Sequence, residues 1–170
     1  MGCFQTTKQP FASINGPRLR LKGPQLKAER LHVSLHHIGD YKRLPSKIVY
    51  AAKQVGKRVS VRPFEVTFRS IKTFEGAPSA GGRSRRRPLV LLGESEGLFE
   101  LYRVIGDAME KNGLRATEYF TPHMVLSYGA AAVPLQEIDP IRFIVDEFVL
   151  IHSMRGLTQY EMIGRWPLYH

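Results

Sequence analysis

Cysteine is almost absent from this 170-residue chain, which carries only Cys3. One thiol cannot close an intramolecular disulfide or build a thiolate metal cluster, so stapled extracellular scaffolds are excluded and a reducing compartment fits. Long apolar runs are missing too. No stretch reaches the roughly 18 residues of a membrane-crossing helix, and the opening "MGCFQTTKQP" has no apolar secretory core. A soluble, cytoplasmic protein with no membrane partner is therefore expected. The opening formally fits an acylation pattern at Gly2, with Thr6 and the adjacent Cys3, but so short a pattern often arises by chance. Acidic residues are scarce as well: 15 Asp and Glu face 25 Lys and Arg, for a formal charge of +10. That imbalance favours a polyanionic partner such as nucleic acid or a nucleotide.

What is present suffices for folding, since 43% of the residues are hydrophobic. Residues 1–10 are polar and expected to be disordered, and "FASI" at 11–14 is a short strand candidate. "RLHVSLHHI", 30–38, alternates as a strand, with Leu31, Val33 and Leu35 on one face and His32, Ser34 and His36 on the other. "PSKIVYAAKQVGKR" reads as a helix whose apolar side is Ile48, Val49, Ala52 and Val55, with Gly56 near its end. "FEVTFRSIKTF", 64–74, alternates again. "EGAPSAGGRSRRRP", 75–88, carries the strongest breaker signal and is expected to be a mobile basic loop. A short strand "LVLLG", a helix over 95–112 with Leu98, Leu101, Ile105 and Met109 on one side, and strands at 119–128, 141–153 and 158–168 complete the chain. The order of elements gives an α+β architecture of two similar halves, spanning 1–170 as one bilobal domain, with the ligand groove expected between the halves.

Six histidines occur, and only His32 and His123 stand in matching contexts, each in an apolar strand of a different half. In a strand, residue i+2 shares the face of residue i, about 6.6 Å further along, so a His-x-Ser unit presents an imidazole and a hydroxyl to one place. Two such units facing each other would supply two proton-transfer groups, with intrinsic pKa near 6.5, and two donors for phosphate oxygens. This is equipment for metal-independent cleavage of a phosphodiester.

"LHVSLHHIGDY" and "FTPHMVLSYG", 91 residues apart, together with the closing "FVLIHSMRGLTQYEMIGRWPL", resemble the 2H phosphoesterase superfamily. The likeness is to its LigT-like branch of RNA 2′,3′-cyclic phosphodiesterases and 2′-5′ RNA ligases. The resemblance covers roughly residues 30–168. It implies a bilobal pseudo-twofold α+β fold, with antiparallel sheets and flanking helices around a central cleft. It also implies catalytic His32 and His123, no metal, no cofactor, and RNA ends or cyclic nucleotides as partners of a monomer. Members open 2′,3′-cyclic phosphates, usually to 2′-phosphates, and several rejoin 2′-5′ linkages in reverse.

The chain departs from the family pattern in two places. The second motif has Val125 where a Thr or Ser would contact phosphate, and little chain precedes the first motif, so the edge of the first half is either reduced or rebuilt. Valine keeps the shape of threonine but donates no hydrogen bond, so activity is expected to be reduced or retuned. A catalytically weakened nucleotide- or RNA-binding module of the same fold is the alternative.

Further substrate contacts are expected from Ser34, from His36 on the ideal strand face of His32, and from Arg85 in the basic loop. His37 is expected to face away. Ser127 shares the ideal face of His123, whereas Tyr128 points the other way unless the strand bends. Tyr128 and Phe64 are candidate base platforms, Trp166 is expected to pack, and His152 to cap a turn. The spacing His32-x-x-x-His36 lies in a β-patterned segment without the glutamate of a helical zinc motif, which argues against a metal there.

Overall fold

The computed structural model describes residues 1–6, 31–75, 87–129, 132–153 and 160–169. In chain order its elements are β1 (Gly2–Thr6), β2 (Ser34–Gly39), α1 (Ser46–Arg58), β3 (Phe64–Thr73), β4 (Arg87–Glu94), α2 (Glu96–Lys111), β5 (His123–Gly129), β6 (Gln136–Val145), β7 (Glu147–Ser153) and β8 (Tyr160–Pro167). They form two four-stranded sheets, β2-β1-β7-β8 and β5-β4-β3-β6. Every pairing within them is antiparallel.

The helices form where their apolar residues recur at helical spacing. In α2, Leu98, Leu101, Ile105, Ala108 and Met109 are all buried, Ser95 caps the start by accepting from the Leu98 N–H, and Lys111 sits in the last turn. Gly113, with φ +72°, ends the turn that follows in a conformation costly for other residues. The Ser95 hydroxyl also donates to the Glu65 carbonyl, fastening α2 to β3. In α1 the buried side is Ala52, Val55 and Gly56, and Lys57 and Arg58 oppose the helix dipole at its end. The two helices pack on each other, α1 on β8, and α2 on β2 and β3. Their shared core holds Phe4, Val33, Phe68, Leu98, Leu101, Ile105 and Phe148. Each such large side chain contributes about 1.5–3 kcal/mol by leaving water.

Trp166 packs, as its sequence context implies: its ring lies 5.3 Å from Phe148 and 6.0 Å from Phe4. Gly56 makes room for it, because a Cβ there would stand 2.0 Å from the indole.

Several expectations need correction. Residues 2–6 are not disordered but form β1, buried throughout and inserted between β2 and β7. Phe4 joins the main core, while Cys3 joins a second cluster with Val149 and Ile151 on the other face. With both faces covered, the segment shows no alternation to betray it. The stretch 141–153 is not one strand: the chain leaves β6 at Asp146 and enters β7 in the other sheet. Arg87 and Pro88 belong to β4 rather than to the basic loop, and the strand expected from 119 starts at His123. "FASI" and most of the basic loop, Arg85 included, lie outside the described residues.

Candidate active site

The two motif strands, β2 and β5, each form an edge of their sheet, and the edges meet at one antiparallel bridge between Val33 and Met124. Val33 is fully buried and Met124 nearly so, so both point into the core. Their neighbours along extended chain must point the opposite way. Carrying the bridge register one residue in each direction sets Ser34 across from His123 and His32 across from Val125. All four side chains then share one face. His32 and His123 are diagonal neighbours across the seam, a relation that sets residues about 7–8 Å apart with their Cβ atoms somewhat closer.

Each motif strand contains a bulge one residue after the hydroxyl position. In β2, Gln5 pairs with Ser34 and Phe4 with His36, leaving Leu35 unpaired. In β5, Val90 pairs with Val125 and Leu89 with Ser127, leaving Leu126 unpaired. A bulge reverses the alternation of every later residue. "HVSLHH" and "HMVLSY" thus match position by position: His32 with His123, Ser34 with Val125, bulged Leu35 with Leu126, His36 with Ser127, and His37 with Tyr128.

The bulges overturn two expectations. His36 does not share the face of Ser34; it is driven inward to 1% exposure. His37 takes that face instead, beside Asp40 at 3.3 Å. In β5, Ser127 turns into the core, and Tyr128, paired with Pro88, comes round to the side of Val125 and His123 at 47% exposure.

Hydrogen bonds hold the pieces in place. Thr6 donates its N–H to the Val33 carbonyl and accepts the Val33 N–H on its hydroxyl, which fixes the backbone between His32 and Ser34. His123 donates Nδ1–H to the Thr121 carbonyl at 2.7 Å. A carbonyl can only accept, so the neutral ring carries its proton on Nδ1 and keeps a bare Nε2. An edge contact with Phe74, at 5.1 Å between centroids, steadies the ring from the side.

Buried His36 ties three segments together. Its Nε2–H donates to the Tyr102 carbonyl of α2, and its Nδ1 accepts from the N–H and hydroxyl of Thr117. The Tyr102 hydroxyl returns to the Thr117 carbonyl. The imidazole stacks on Tyr102 at 4.0 Å, and Tyr102 stacks on Phe120 at 4.4 Å. Burial holds the His36 pKa below the usual histidine range, against the pull of the Tyr102 carbonyl.

A cleft of about 560 Å³ opens beside these groups, with Ser34, His37, Phe74, Tyr119, Phe120 and His123 among its walls. A second hollow of about 580 Å³ adjoins it at Thr121 and extends over Arg69, Ser70 and Ser95. Phe74, Tyr119 and Phe120 are cleft residues that the sequence patterns did not single out; the signal for Tyr119 and Phe120 was their place next to the second motif, and Phe74 had none. Phe64 lies against the first turn of α2, where a Cβ on Gly97 would stand 2.3 Å from its ring. His152 is buried and meets the Tyr41 carbonyl at 3.1 Å.

The family model of the 2′-5′ RNA ligase superfamily matches residues 6–157. The chain belongs to that superfamily, the 2H phosphoesterases. Solved structures agree in fold along nearly the whole length. The protein TT0787 of Thermus thermophilus is 16% identical with a TM-score of 0.67, over 98% of this chain and 97% of its own. Escherichia coli LigT in apo form is 20% identical with a TM-score of 0.62, over 99% and 97%. LigT complexed with 3′-AMP is 21% identical with a TM-score of 0.60, over 99% and 98%. No curated protein gives a significant match. The fold expected of a LigT-like 2H phosphoesterase, two antiparallel sheets with two helices, is thus the fold found.

Proposed function

We propose that this 2H phosphoesterase opens 2′,3′-cyclic phosphates at RNA ends or on nucleotides, with His32 and His123 as its acid and base and without a metal. The observation that carries the reading is the Val33–Met124 bridge, whose register turns both histidines to one face of the seam. Water attacks phosphorus as its proton passes to the bare Nε2 of His123, and the bond to the 3′-oxygen breaks as that oxygen takes a proton from His32. The product is a 2′-phosphate. With an RNA 5′-hydroxyl in place of water, the same proton transfers join a 2′-5′ linkage, and in the reverse reaction, where the 3′-hydroxyl cleaves that linkage, the histidines exchange roles.

Ser34 donates to a nonbridging phosphate oxygen from its place across from His123. Tyr128, brought round by the bulge, offers a surface for the base. The LigT complex with 3′-AMP shows that a protein of this fold accommodates a nucleotide. Val125 also supports a second reading, a nucleotide- or RNA-binding module with little turnover, because its side chain cannot repeat the contact of Ser34.

Hydrolysis of 2′,3′-cyclic nucleoside monophosphates, followed by chromatography, tests the proposal. Turnover to the 2′-phosphate is expected, with His32→Ala and His123→Ala each lowering kcat by about 10²-fold or more. Tight binding of the 2′-phosphate without turnover would favour the module, and neither binding nor turnover would remove both readings.

A further inference from the structure

The apolar side chain at position 125 leaves one side of the proposed phosphate site without a side-chain donor, and the sheet register places a cation on that side. Lys72 pairs with Val90 across β3 and β4, and Val90 pairs with Val125 across β4 and β5. The three lie in one row across three strands and share a face. That face is opposite the core, because the alternate residues Ile71, Leu91 and Met124 are the ones packed inside. Two strand spacings separate Lys72 from Val125 by about 10 Å at the backbone, and an extended lysine stem spans about 6 Å of that. Val90, the residue between them, is fully buried.

The side chain already leans towards the site. Its Nζ lies 5.2 Å from the centre of the Phe74 ring, the ring whose edge contact with His123 helps wall the cleft. Among the described residues no carboxylate lies within ion-pair distance of Lys72. An ammonium held over an aromatic ring and not neutralised by an acid is available to an anion.

We infer that Lys72 is a phosphate-binding residue of this site, donating from the ammonium to the phosphate oxygen on the Val125 side that Val125 itself cannot bond. The inference rests on the reading that phosphate sits between His32 and His123. It goes further by naming a donor on a third strand, outside both histidine motifs. A lysine is a mobile point charge rather than a fixed hydroxyl, so it holds a dianionic 2′-phosphate more firmly than a monoanionic cyclic ester.

Binding of a nucleoside 2′-phosphate, measured by titration calorimetry, tests this in the wild type, Lys72→Met, Val125→Thr and the double variant. Lys72→Gln serves as a second removal, Lys72→Arg keeps the charge, and melting curves report the fold. Lys72→Met and Lys72→Gln are expected to weaken binding roughly tenfold or more, the loss of a charge-assisted hydrogen bond, and Lys72→Arg to retain most of it. With Thr at 125 the lysine becomes partly redundant, so its removal is expected to weaken binding only about threefold. Equal weakening in both backgrounds, or none in either, overturns the assignment to the Val125 side. If His32→Ala and His123→Ala lose the ligand while Lys72→Met keeps it, Lys72 alone is excluded. If the histidine variants bind as the wild type does, the underlying placement of the phosphate is at fault.

Discussion

Val33 and Met124 are bridged across the seam between the two sheets, and both point into the core. This one contact turns the residues on either side of each to one face, where Ser34 and His123 line the cleft. Apolar burial of the bridged pair therefore anchors both motifs, although His32 itself precedes β2. The bulges that follow the pair in each strand then decide which later side chains reach the cleft.

Val125→Thr replaces a methyl by a hydroxyl across from His32, with nearly the same shape. Restoring a donor to an otherwise unpaired phosphate oxygen is worth about 1–3 kcal/mol, or roughly tenfold to more than a hundredfold in rate. Steady-state hydrolysis of a 2′,3′-cyclic nucleotide is expected to rise by at least the lower figure. An unchanged kcat/KM would show that the site at Val125 lacks nothing.

His36 makes stability depend on pH. It is neutral in the fold, donating from Nε2 and accepting on Nδ1, and its pKa is lowered there. The unfolded chain therefore binds the extra proton at higher pH than the folded chain does. The stabilising contribution is complete above the ordinary histidine value of about 6.5 and declines as pH falls through the lowered folded value. Urea midpoints are expected to drop over that range in the wild type. His36→Phe keeps the stacking on Tyr102 but strands a carbonyl and an N–H, at a cost of about 1–3 kcal/mol each at most, and should remove this part of the pH dependence.

The likeness of the two motif segments was legible because both alternate, with apolar Val33 and Met124, the pair bridged in the fold, next to His32 and His123. The helices were legible for the same reason: Leu98, Leu101, Ile105 and Met109 recur at the right period, and all four are buried. His36, His37, Ser127 and Tyr128 could not be assigned correctly, because nothing in "VSLHH" or "VLSY" marks Leu35 or Leu126 as unpaired. A bulge is decided by the register of the neighbouring strand, here β1 in one sheet and β4 in the other. The β1 strand itself escaped for a related reason. Its five residues are buried on both faces, so "GCFQT" carries no period of two. Lys72 looked like any polar residue of an alternating strand until pairing through Val90 placed it in line with Val125.

Cys3 should behave as an inert thiol. It is 4% exposed, and burial pushes its pKa up to about 11 despite hydrogen bonds from Ser34 and the Leu35 backbone. Disulfide-exchange reagents at pH 8 are expected to label it only after denaturant is added. Rapid labelling of the native protein would mean that β1 leaves the sheet.

Gly56→Ala places a methyl group against the Trp166 indole, where the added carbon would come within 2.0 Å of Cε2. Overpacking of this kind costs about 1–3 kcal/mol or more, outweighing the helix propensity gained over glycine. The melting temperature is expected to fall by several degrees, and Trp166→Leu should relieve part of the loss. A stabilised Gly56→Ala variant would contradict the packing of α1 on β8.

The central claim is that imidazoles from the two halves address one phosphorus atom. A crystal structure with a nucleoside 2′-phosphate bound tests it most directly. The expected result is a phosphate seated at the Val33–Met124 seam, with ring nitrogens of both His32 and His123 within hydrogen-bond distance of its oxygens. A phosphate held by only one of the two rings, or bound elsewhere on the molecule, would contradict the account.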